Sequence, residues 1–176
     1  MTELIIIPEC FVDTKVAEIL GQDLRKYNHQ HGNGEVAKKL IELPINICLG
    51  IVDEDAKKGP KPKYFLDFQL IKEENNLILE KHKEKKQYLI FICPEIEAWL
   101  MNDTKKANID PSDLKFRLPQ DLKGFKKLTK TKGIDKNERF VRFIKALIKE
   151  GTPSITTLKK WIFLFKEDQL DHLLNE

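Results

Sequence analysis

The residues of this chain that could do chemistry stand at three places, each just past an apolar run. Glu9 follows the run 4–7 and Pro8. Asp53-Glu54-Asp55 follows the run 47–52. Glu95-Ile96-Glu97 follows the run 88–93 and Pro94. Asp53 and Asp55 are two apart, so in extended backbone they point the same way. Carboxylates held side by side repel, and a divalent cation with oxygen ligands relieves the repulsion. The helix dipole alone draws acids into first helical turns, which accounts for Glu95 and partly for Asp13. It does not account for Glu9 or for the Asp53–Asp55 pair. A metal shared among carboxylates is the expected chemistry.

The elements that must position these acids are strands. The stretch 47–53 is apolar throughout before its acid, as in a parallel-sheet strand covered on both faces. Open α/β sheets place their ligands at the carboxyl ends of such strands. The run 88–93 is the strongest strand signal, and Pro94 with Glu95 and Glu97 reads as the start of a helix. Glu9 sits on a strand-to-helix turn: Val16, Ile19, Leu20 and Leu24 recur at helical spacing, with Asp13 as the expected N-cap. Gly32-Asn33-Gly34 signals a turn that opens a helix over 35–43. An extended 24–31 would put His29 and His31 on one face; with no third ligand at metal spacing, they read as a solvated pair. The stretch 64–71 alternates as a strand does, 77–79 fits either type, and 82–86 reads as a charged turn. Beyond Asn102 helices are expected at 120–129, 136–149, 154–165 and 167–174, with Trp161 in the core. The expected fold is α/β, a mostly parallel sheet flanked by helices over 1–103, with a basic all-helical C-terminal lobe over 104–176.

The 176 residues are 41% hydrophobic and 34% charged, enough for a real core inside a wet surface. No apolar run approaches the ~20 residues of a membrane span. Without a basic region before the first apolar run or a small-residue cleavage site after it, the expectation is a cytoplasmic protein. Its three cysteines, Cys10, Cys48 and Cys93, then stay reduced. Charge is unevenly spread. The stretch 115–149 carries twelve Lys or Arg against three acids, a net +9, which leaves −6 for the rest of a chain whose total is +3. Such asymmetry points to a polyanion partner. Lys126, Lys127, Lys130, Lys132, Arg139 and Arg142 are the expected nucleic-acid contacts. If half of the twelve cations meet phosphates, affinity falls by around 10³ between 50 and 200 mM salt.

An apolar strand ending in Glu9, and a later one ending in Asp53-x-Asp55, resemble the Toprim fold of topoisomerases, primases and OLD-type nucleases. Pro94-Glu95-Ile96-Glu97-Ala98-Trp99-Leu100 is similar to small bacterial Toprim-related proteins, some encoded beside restriction and phage-defence genes. The resemblance covers roughly residues 4 to 103. It implies that Glu9 matches the Toprim glutamate, Asp53 and Asp55 the metal-binding pair, and Glu97 the acid before x-Trp. Asp13 falls where small relatives carry an acid. Cys10 and Val12 stand where the family carries Gly and Thr.

The expected function is that of a Mg²⁺- or Mn²⁺-dependent phosphodiester enzyme acting on DNA or RNA, a nuclease in a phage-defence or restriction setting. Asp53 and Asp55 would hold the metal, with Glu9 a further ligand or the general base. The alternative is a catalytically inactive Toprim-like module that binds nucleic acid or a partner protein through its basic helices. A cysteine nucleophile at Cys10 ranks third, because the neighbouring Glu9 would suppress the thiolate.

Overall fold

In a computed structural model, which describes residues 3–22, 28–54 and 59–175, the chain forms one five-stranded sheet with helices on both faces. The strands are β1 (Leu4–Pro8), β2 (Ile47–Asp53), β3 (Phe68–Glu74), β4 (Leu77–His82) and β5 (Gln87–Ile92). Their order across the sheet is β1-β2-β5-β4-β3. β1, β2 and β5 pair in parallel, and β4 runs antiparallel to both β5 and β3. The sheet is therefore mixed, with only β4 reversed.

β2 and β5 are buried at every position, which is why their sequences lack polar alternation. Their side chains still divide between two layers. Leu49, Ile51, Ile90 and Ile92, with Ile6 of β1, enter the larger core, whereas Cys48, Val52, Leu89 and Phe91, with Ile7 of β1, enter the smaller one. The larger layer is covered by α1 (Phe11–Gly21), α3 (Ile96–Ala107), α5 (Glu138–Glu150) and α6 (Pro153–Lys166), with α4 (Leu122–Thr129) against α3. The smaller is covered by α2 (Asn33–Glu42) and a 3-10 turn at Lys63–Asp67. Gly50 lets α2 lie close to β2: a Cβ there would stand 2.7 Å from Leu89 Cδ2 and 3.1 Å from Val36 Cγ1.

Local corrections to the sequence reading have physical causes. The stretch 64–71 is not one strand. Its first residues form the 3-10 turn, closed by the Phe65 N–H donating to the Pro62 carbonyl at 2.9 Å, and β3 begins only at Phe68. β4 is a full strand, joined to β3 by Asn75-Asn76 at φ 52° and 61°. Two residues at positive φ make a tight hairpin turn, a conformation that asparagine tolerates. Asp13 is not a cap. Cys10 takes that position, its sulfur accepting the Asp13 N–H at 3.4 Å, so α1 starts at Phe11. Leu24 lies outside the described residues. The stretch 28–30 runs along the open side of β1: the Asn28 N–H donates to the Ile6 carbonyl at 2.8 Å and the Gln30 N–H to that of Pro8 at 3.0 Å.

The C-terminal helices share the core of the sheet. Phe140, Ile144, Leu147, Trp161, Ile162 and Phe165 belong to the same cluster as Ile6, Ile90 and Trp99. A buried carboxylate pins them. Asp103, on α3, accepts the Thr152 hydroxyl at 2.6 Å and the Ser154 hydroxyl at 2.6 and 2.7 Å, at the start of α6. Asp103→Ala strands two buried hydroxyls and is expected to cost about 2–4 kcal/mol, read as a lower urea midpoint with unchanged slope. Among the described residues no helix is long and apolar enough to cross a membrane.

Candidate functional site

The carboxyl ends of β1 and β2 bring Glu9 and Asp53 into direct contact. Glu9 donates its N–H to the Ile51 carbonyl at 2.9 Å, which continues the pairing of β1 with β2. Its Oε2 accepts the Asp53 N–H at 2.7 Å. Asp53 Oδ1 in turn accepts the Ile96 N–H, the first amide of α3, at 2.8 Å. Glu9, Asp53 and the start of α3 are thus linked in series, and both acids are buried, at 3% and 7% exposure.

Asp13 completes the cluster from α1. It is 1% exposed, and among the described residues no N–H or O–H group donates to either carboxylate oxygen, which leaves the Cys10 thiol as its neighbouring hydrogen-bond group. Burial, and then the charges of Asp53, Glu9 and Glu97, raise its pKa well above the carboxylate range, against a smaller opposing pull from Cys10. A carboxyl so placed holds its proton unless a cation takes the proton's place. Cys10 is driven the same way: burial first, then Asp13, hold its thiol protonated. That is the reverse of an activated nucleophile, which disfavours cysteine chemistry here.

Glu97 lies close enough for its charge to act on Asp13. Its Oε1 accepts the Thr129 hydroxyl at 2.7 Å, tying α3 to the end of α4. Glu95, the N-cap of α3, forms an ion pair with Lys126. Asp55, the other half of the expected metal pair, lies outside the described residues, as do Lys57 and Lys58. Among the described residues no group of three His, Cys, Asp or Glu side chains is arranged to hold a metal ion.

The basic residues separate into two settings. Lys123, Lys126, Lys127 and Lys130 line an open hollow on α4 together with Leu122. Leu122 also borders a cleft of about 490 Å³ over Cys93, Pro94, Ala98 and Trp99, at the start of α3. The lysine face of α4 thus adjoins the acid-bearing end of the sheet. Lys132 and Arg139 are exposed, and Arg142 donates to the Lys115 carbonyl at 3.2 Å.

Comparison with protein-family models, curated proteins and solved structures finds no match. The functional reading therefore rests on the geometry of this chain.

Sequence reasoning had no signal for two contacts. The Glu95–Lys126 pair joins residues far apart in the chain, with no periodicity to announce it. The pairing of Phe11 with the histidines is likewise tertiary: the Phe11 and His29 rings stack with centroids 4.0 Å apart.

Proposed function

We propose that this chain is a divalent-metal-dependent phosphodiester enzyme acting on nucleic acid, a nuclease of Toprim-like fold. The observation that carries the reading is Asp13, a fully buried carboxyl beside Glu9 and Asp53 that, among the described residues, has no cation and no N–H or O–H donor and only the weak thiol of Cys10 to offset it. A stable fold has little reason to bury such a group unless something positive joins it. Carboxylate oxygens are the ligands that Mg²⁺ and Mn²⁺ take, so the donor type suits a hard divalent cation, with Asp55, outside the described residues, needed to complete the set. Asp13, Asp53 and Asp55 would hold it, with Glu9 a further ligand or the base that accepts a proton from water. Bound there, the ion polarises a phosphate and offsets the charge that develops on it. Lys126, Lys127 and Lys130 draw the polyanion toward an end of the sheet that acids alone would make repulsive. The resemblance to small Toprim-related proteins gives a phage-defence or restriction setting.

A second reading is a module that binds nucleic acid, or a partner protein, without cleaving it. It is favoured by Glu9 and Asp53 each holding a backbone amide, and by Cys10 where the Toprim pattern has Gly.

The deciding experiment incubates DNA and RNA with the protein in Mg²⁺, Mn²⁺ or EDTA and measures cleavage and binding together. Cleavage that needs either metal is expected. Binding should weaken steeply with salt and on charge reversal at Lys126, Lys127, Arg139 and Arg142. No cleavage with either ion, and no heat of Mn²⁺ binding, would remove the enzyme. Binding that survives EDTA but not charge reversal would leave the second reading.

A further inference from the structure

Three aromatic rings cluster next to the carboxyl end of β1, where Glu9 stands. Phe11, the first residue of α1 and two past Glu9, is 38% exposed although wholly apolar. Its ring lies over His29 at 4.0 Å between centroids and 16° between planes. His31 stands edge-on to both, at 5.9 Å from Phe11 and 4.8 Å from His29. Backbone contacts fix the cluster beside the acid: the Gln30 N–H donates to the Pro8 carbonyl at 3.0 Å and the Gly32 N–H to that of Glu9 at 3.1 Å. Phe11 and the stretch 30–32 are therefore both held next to the Glu9 backbone.

The stack is tied to α1 at its base. The Thr14 hydroxyl donates to the Cys10 carbonyl at 2.7 Å, so its oxygen is left to accept from His29 Nδ1 at 3.1 Å. The proton on Nδ1 fixes the tautomer, and burial followed by the neighbouring His31 lowers the pKa of His29. A neutral imidazole held flat beneath a phenyl ring is a firm aromatic surface. His31 is exposed and meets the partly exposed Phe11 ring edge-on.

An exposed apolar ring beside a site for phosphate has one natural occupant, the base attached to that phosphate. Every base has a π-face, so stacking is strong and tolerant of sequence. A base inside a duplex already spends both faces on its neighbours, and only an unpaired strand can offer one. We infer that Phe11 and His31 form a base-stacking platform through which this site selects single-stranded over duplex nucleic acid. The inference rests on the phosphodiester reading above and names its substrate class.

The test is fluorescence anisotropy with labelled oligo-dT, labelled oligo-U and a DNA duplex of the same length, in Mg²⁺ and in EDTA. The wild type should bind either strand more tightly than the duplex. Phe11→Ala should weaken strand binding by about tenfold or more and leave duplex binding unchanged. His31→Ala should act in the same direction by less, and Phe11→Tyr should keep wild-type affinity. Strand affinity unchanged in both alanine variants overturns the platform and leaves the phosphodiester reading standing. Equal affinity for strand and duplex in the wild type, or an equal loss for both in Phe11→Ala, overturns the selectivity. No nucleic-acid binding by the wild type removes this inference together with the reading beneath it.

Discussion

Asp53→Asn should cut metal-dependent cleavage by roughly 10³-fold or more, the several kcal/mol that a cation contributes at a phosphate, while the protein still folds. The substitution separates the two roles of this side chain. Asp53 Oδ1 accepts the first amide of α3, and an asparagine oxygen can go on accepting it. What is lost is the negative charge, and with it the affinity proposed for a divalent ion. Asp53→Ala removes both and should additionally destabilise the start of α3 by about 1 kcal/mol, as loss of a helix-capping oxygen does. Turnover, Mn²⁺ titration by calorimetry and thermal melts are to be read on the same samples. An Asp53→Asn protein that cleaves like the wild type would end the metal proposal, however well the cluster is buried.

Asp13→Asn should do the opposite to stability in EDTA: it should make the protein more stable, increasingly so as pH rises. Asp13 binds its proton more tightly folded than unfolded. Below the unfolded pKa, near 4, both states are protonated and the group favours neither. Above it the unfolded chain releases the proton and the folded chain does not. Stability therefore falls with pH until the folded carboxyl ionises too. Asparagine has no such slope. The gain from removing an uncompensated buried group is about 1–3 kcal/mol, or roughly 2–4 °C in Tm for each kcal/mol in a chain of this size. In saturating Mg²⁺ the order should reverse, because an ion held at the proposed site would stabilise the wild type and not the variant. Melts across the acid-to-alkaline range, with and without Mg²⁺, check both signs. A variant less stable than the wild type at every pH in EDTA would make Asp13 an ordinary structural residue.

What the sequence made legible was whatever repeats or is uniform. β2 and β5 stood out because no polar residue interrupts them, and burial on both faces is the physical reason. α5 stood out because Phe140, Ile144 and Leu147 recur on one side while Arg139, Arg142 and Lys145 stay exposed. That Glu9 and Asp53 stand at the same end of the sheet was legible, because each follows an apolar strand; that β1 and β2 are neighbours, which brings the two acids into contact, was not. The role of Asp13 was not. It depends on whether α1 begins at Cys10 or three residues later, and that choice rests on a sulfur cap rather than the usual oxygen. The 3-10 turn before β3 was hidden for a related reason. Its residues alternate as a strand would, and only the docking of Phe65 and Phe68 under α2 decides their path. Thr129 on Glu97 and Lys126 on Glu95 depend on where α4 lands on α3, which no local pattern encodes.

Both rims of the sheet are spoiled for lateral growth. On one side, amides of the stretch 28–32 already occupy carbonyls of Ile6, Pro8 and Glu9. On the other, the ladder of β3 slips between Leu70 and Lys72, and the strand ends in Lys72-Glu73-Glu74. An incoming strand meets either a filled row of acceptors or a bent, charged border, and both are obstacles to self-templated stacking. The most continuously apolar strands, β2 and β5, lie inside the sheet, away from either rim.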